Sequence, residues 1–183
     1  MRDGERLIAV ARPAELDLDI PDPPSYAEAE SAEANFSGWG SHIFPECFVC
    51  GPDRAPHDGL RILAGRVGDR RIVASHWHPE HDVEGAYGNV GARIVWAALD
   101  CPTYFAHQID GPSGPAVLGR LTAKLINPVA VDKPHVVIAW PIGDEGRKLH
   151  GGSAIFTADG ELCALGLGTW VRIAADHAGF KPS

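Results

Sequence analysis

At 183 residues with 45% hydrophobic content, the chain has the material for one ordinary core and needs no covalent staples. Its formal charge of -8 argues against non-specific nucleic-acid binding, which draws on massed Lys and Arg. No apolar run is long enough to span a membrane, the first residues lack the apolar centre of a signal peptide, and the four cysteines do not form an oxidised framework, so we expect a cytoplasmic protein with no membrane partner.

Residues 1 to 43 differ from the rest and read as an N-terminal extension. Ile20-Pro-Asp-Pro-Pro24 stops a short apolar segment, and Ser25 then has the character of a cap for a helix running to about Phe36. Arg2-Asp-Gly-Glu-Arg-Leu-Ile-Ala9 echoes Ala158-Asp-Gly-Glu-Leu-Cys-Ala164, which makes residues 1 to 19 a candidate remnant of a preceding repeat. Cys47-Phe-Val-Cys50 has the spacing of half a zinc site, and His42 with His57 would complete four ligands. No second Cys-x-x-Cys exists, so the pair reads as packed thiols near a turn, with no metal and no cofactor. Leu60 to Val67 and Arg71 to Trp77 read as strands joined at Gly68-Asp69. His76-Trp-His-Pro-Glu-His81 has a chelating look, but His76 and His78 share one face at a strand's end, which suits a solvated loop.

Asn89 to His107 reads as a helix that is apolar almost all round and broken by one polar seam. Asn89, Arg93, Trp96, Asp100, Thr103 and His107 recur at steps of three and four and so share a face. A mid-helix carboxylate needs a task or a partner: Asp100 is either chemically active or ion-paired to Arg93. After Gly111-Pro-Ser-Gly-Pro115 come four strand-like runs, Ala116 to Asn127, His135 to Ile142, Arg147 to Thr157 and Glu161 to Ile173, separated by turn residues. His150-Gly-Gly152 reads as a flattened or bulged stretch of the third run. In the last run Ala164, Gly166 and Gly168 share one face, so a helix is expected to press closely there.

Gly119-Arg-Leu-Thr-Ala-Lys-Leu-Ile-Asn-Pro-Val129, Gly146-Arg-Lys-Leu-His150, Ala158-Asp-Gly-Glu161 and Thr169-Trp-Val171, in this order of elements, resemble the hotdog-fold acyl-CoA thioesterases, as does Phe44-Pro-Glu-Cys-Phe-Val-Cys-Gly51 followed by Gly59-Leu60. The resemblance covers residues 44 to 173 and leaves 174 to 183 as a tail. It implies an α+β hotdog fold, a curved antiparallel sheet wrapped around a long central helix, with the N-terminal extension added. It further implies a thioester hydrolase in which Asp100 is general base or nucleophile and the Gly91 and Ala92 amides form an oxyanion hole. The helix start here is Gly91-Ala-Arg93 where such families commonly have His-Gly-Gly. Asn89, Arg93, Trp96 and Thr103 are then candidates for substrate contact, and Arg120, Lys124, Arg147 and Lys148 for the phosphates of an acyl-CoA or acyl-carrier thioester. A homodimer is implied as well. The alternative on the same scaffold is a non-catalytic binder of acyl or other lipophilic ligands, with Asp100 neutralised by Arg93.

Overall fold

The computed structural model describes residues 1 to 174, so the expected tail lies outside the described residues apart from Ala174. Strands β1 (Arg2–Asp3) and β2 (Arg6–Leu7) pair only with each other, and the echo of Ala158 to Ala164 has no counterpart in the main ladder. Helix α1 (Tyr26–Ala32) starts where expected: Ser25 Oγ accepts the Glu28 N–H at 3.3 Å and the Glu28 carboxylate accepts the Ser25 N–H at 2.8 Å, a reciprocal cap. Next come β3 (Gly65–Arg66), β4 (Val73–Trp77), and a hairpin of β5 (Glu84–Ala86) and β6 (Asn89–Val90). The strand expected from Leu60 shrinks to β3. Leu60 and Ile62 donate their N–H groups at 2.8 Å to the Phe48 and Val49 carbonyls, and Arg61 takes a left-handed φ of 48° that extended backbone does not allow.

The helix expected from Asn89 starts later, because Asn89 and Val90 pair with β5 as strand β6, and it is a helical run in pieces: α2 (Ala92–Ala98), α3 (Pro102–Phe105) and a closing 3-10 turn to Gln108. Pro102 causes the break, because it has no N–H to return to the carbonyl of Ala98. The carbonyls at the break find other donors. Ser153 Oγ donates to the Leu99 oxygen at 2.8 Å, and the Asp100 oxygen accepts from the Thr103 hydroxyl at 2.6 Å. Nor is the run wrapped on all sides within one chain, since Ala92, Arg93 and Trp96 are exposed while all of α3 is buried.

Strands β7 (Ala116–Leu125), β8 (His135–Glu145), β9 (Lys148–Thr157) and β10 (Leu162–Arg172) complete an antiparallel sheet of order β3-β4-β8-β9-β10-β7. The helical run presses on it at glycines, as the alternation in β10 predicts. A Cβ at Gly166 would stand 3.0 Å from Leu99 Cβ, and one at Gly168 would meet the Thr103 side chain. Gly151 belongs to the same contact, where a Cβ would run into the Thr103 carbonyl. His150 to Gly152 runs in regular register against β10, while against β8 the register shifts between Pro141 and Gly143, opposite Gly151 and His150, so the bulge lies there with its extra residue on β8.

Both faces of the sheet are covered. Val137, Ile155, Ala164 and Trp170 pack toward the helical run, whereas Val136, Ile138, Trp140, Ala154, Phe156 and Leu165 pack outward with Leu16, Ala29 and Ala32 of the extension. This is why β8 reads as six buried residues in succession, not as an alternating strand. The extension thus forms a third layer of the fold.

Candidate functional site

Asp100 sits at the break between α2 and α3. Its Oδ1 is buried with no hydrogen-bond partner, and among the described residues it makes no ion pair with Arg93 or any other cation. Burial, reinforced by the nearby Cys47 sulfur, pushes its carboxyl up to about 7. The Arg93 guanidinium lies on the exposed side of α2, so the expected choice between chemistry and an Arg93 pair is not decided in favour of the pair.

The sulfurs of Cys47, Cys50 and Cys101 gather beside this carboxylate, all within 4.8 Å of one another. Cys47 Sγ is 3.7 Å from Cys101 Sγ, and His42 Nε2 is 3.2 Å from Cys50 Sγ. Thiols of Cys101 and Cys50 and backbone N–H groups of Cys50 and Val49 all point at the Cys47 sulfur and hold it well below the ordinary thiol range. Their hydrogen bonds to the Cys47 sulfur, and after them burial, hold the other two well above it. Of the four residues grouped by spacing, His42 arrives and His57 does not, being exposed and bonded to Glu80 at 2.7 Å. Cys101 is the member that spacing missed, because it is distant in sequence and no local pattern links it to Cys47.

At the start of α2 the Gly91 N–H donates to the Val83 carbonyl at 3.0 Å and is already spent. The amides of Ala92 and Arg93 form no hydrogen bond among the described residues, and both residues face outward. Asn89 donates to the Tyr87 carbonyl at 3.2 Å beside this helix start, and Trp96 is 40% exposed one turn on. Thr103, expected to meet substrate, lies wholly in the core: its hydroxyl donates to the Asp100 carbonyl and accepts from Trp170 Nε1 at 2.7 Å, so it supports Asp100 from behind. His107 Nε2 meets the His150 carbonyl at 3.0 Å, tying the end of the run to β9.

The four cations do not form one cluster. Arg120 and Lys124 lie exposed along β7, opposite Thr169 and Leu165, while Arg147 and Lys148 occupy the β8–β9 turn, where Lys148 reaches Glu145 at 3.3 Å. The histidines from 76 to 81 diverge, as the loop reading expects: His76 leans toward Glu33 at 3.7 Å, and His81 lies between Glu84 and Asp132.

No family model matches the sequence, and no curated protein does. Solved structures do match. A thioesterase superfamily protein superposes with a TM-score of 0.56 at 21% identity, over 66% of this chain and 62% of that one. A mutant of the phenylacetic acid degradation protein PaaI from Thermus thermophilus gives 0.52 at 19% identity over 63% and 94%. This chain has the hotdog fold. A Streptococcus mutans protein solved bound to acetyl CoA shares that hotdog fold at a TM-score of 0.52 and 10% identity, covering 57% of this chain and 83% of its own. With 66% or less of this chain covered in each of these comparisons, a sizeable part of it has no equivalent there. No described helix is long and apolar enough to cross a membrane.

Proposed function

We propose that this hotdog protein hydrolyses an acyl thioester, with acyl-CoA or an acyl carrier as substrate and Asp100 as general base or nucleophile. The observation that carries the proposal is the buried, unpartnered Oδ1 of Asp100 on the central helical run, eight residues beyond the free amide of Ala92. A carboxylate that has been desolvated and left without a partner is costly unless it does chemistry. The Ala92 and Arg93 amides, at the positive end of α2, are available to hold the developing oxyanion, the Gly91 amide being already bonded.

Eight residues of helix span about 12 Å, too far for both groups of one chain to touch one thioester carbon. Asp100 of one copy therefore acts with the helix start of a second, and the protein works as a homodimer. The exposed apolar residues Val117, Leu125 and Ile126 along and just beyond edge strand β7, with Trp96 on α2, support that pairing. Arg120 and Lys124 on the same edge strand, with Arg147 and Lys148 at the β8–β9 turn, are the cations open to phosphate groups of the substrate.

The test is free-thiol release from short, medium, aromatic and long acyl-CoA substrates. We expect turnover in the native protein and a drop in kcat/KM of about 100-fold or more in Asp100→Asn, the range for loss of a general base or nucleophile. No turnover across acyl-CoA and acyl-carrier substrates, with ligand binding retained, would make the protein a non-catalytic binder instead. A monomer in sedimentation at assay concentration would remove the two-copy site.

A further inference from the structure

The cysteine cluster beside Asp100 is more ordered than packing requires. Cys47-Phe-Val-Cys50-Gly51 forms a tight turn in which the Gly51 N–H closes on the Cys47 carbonyl at 2.8 Å, and a Cβ at Gly51 would stand 2.5 Å from the Cys47 nitrogen and the Pro45 oxygen. The turn is locked from outside by Leu60 and Ile62, which bond the two carbonyls between the cysteines.

We propose that Cys47, Cys50 and Cys101 bind a thiophilic divalent cation of the zinc class through three thiolates, clamping the N-terminal segment to the central helical run. Tetrahedral coordination with Zn–S bonds of about 2.3 Å places sulfurs about 3.8 Å apart. The Cys47 to Cys101 separation is 3.7 Å, and the third sulfur lies within 4.8 Å of both. His42 is a supporting donor and not a ligand. Its Nδ1 accepts the Phe44 N–H at 2.9 Å, so in the neutral ring the proton sits on Nε2 and points at Cys50 Sγ, 3.2 Å away. The fourth position is left to a water. Binding displaces the protons still held by the cluster to solvent and involves no redox change.

This inference does not rest on the thioesterase reading, and its readout is metal content. The full chain purified under reducing conditions should carry one zinc per chain. After metal removal, Co(II) should produce the intense sulfur-to-metal charge-transfer absorption of a thiolate site, discharged by one equivalent of Zn(II). Cys47→Ser, the least buried of the three, and Cys101→Ser should each lower Zn(II) affinity at least tenfold while keeping the native far-UV spectrum. Asp100→Asn should keep its metal while losing turnover, which separates failure of this site from failure of the catalytic proposal. The proposal is overturned if the reduced protein binds no Co(II) with that signature, if the serine variants bind it as well as the native chain, or if Asp100→Asn abolishes binding. A disulfide between two of the three cysteines in metal-free protein isolated without reductant would also overturn it, by assigning the cluster to redox chemistry.

Discussion

Thr103 shows how much one buried hydroxyl can carry. It donates a hydrogen bond to the Asp100 carbonyl and accepts one from Trp170 Nε1, with no exposure to water. Thr103→Val keeps the shape and strands the indole N–H, so we expect a loss of ~1–3 kcal/mol in denaturant unfolding. The position of Asp100 depends on the same carbonyl, so kcat should fall in that variant as well. Histidine burial makes a second prediction. His135 is buried at the start of β8, with Nδ1 bonded to the Lys133 carbonyl at 2.9 Å, and burial lowers its pKa. The folded state therefore refuses a proton that the unfolded chain accepts near pH 6.5, and stability that is full above that pH drains as pH falls below it. Asp100, whose raised carboxyl takes up a proton over the same range, works the other way in both proteins, so the test is the difference between them: going from pH 7 to pH 5 should change the melting temperature less favourably in the native chain than in His135→Asn, and equal slopes would clear His135 of the effect.

At the scale of elements, the contact between helix and sheet is set by glycine. Gly168 and Gly151 let Thr103 reach the sheet, and Gly166 admits Leu99. Gly168→Ala should destabilise by ~1–3 kcal/mol, because its methyl group meets a side chain held by two hydrogen bonds. Gly143→Ala is the control: it has open space and a φ outside the left-handed region, so it should be neutral or slightly stabilising. Equal effects at the two sites would refute close approach as the reason for the β10 glycines. The alternation of Ala164, Gly166 and Gly168 made this contact legible from sequence, since small residues at every second position of a strand have few other uses. The break at Asp100 was less legible. Pro102 announces a lost hydrogen bond, but whether a helix bends there or stops depends on who supplies the missing donors, and Ser153 comes from β9.

For the whole molecule, the decisive feature is the extension that seals the outer face of the sheet. The α1 helix rests on Ala29 and Ala32, which are 0% and 3% exposed, against Ile138, Trp140 and Phe156. A Cβ at Gly65 would meet the Ala32 carbonyl, so the end of α1 is seated directly on β3. Ala29→Asp puts an unpaired charge into that layer and should cost ~2 kcal/mol or more. Binding of a hydrophobic dye under native conditions should rise as Trp140 and Phe156 are uncovered. If the variant melts like the native chain without binding dye, the extension is not the structural layer described here. A dimer joined at β7 would leave this outer layer in place, because β7 lies at the opposite sheet edge from β3.

The sequence by itself, though silent on the β5–β6 hairpin, determined the order of the main helical run and the four long strands after it, the turn at Gly68-Asp69, the cap at Ser25 and the close face of β10, because each follows from short-range rules: periodicity, turn residues and a side chain reaching its own backbone. It also singled out Asp100, since a carboxylate among apolar helix neighbours is conspicuous without any structure. Tertiary structure alone decided that Arg93 stays away from Asp100, that the Gly91 amide is spent on Val83, that Thr103 is core, and that Cys101 joins Cys47 and Cys50. These outcomes turn on contacts between segments far apart in the chain, where position in three dimensions, and not spacing along the sequence, sets which groups can meet.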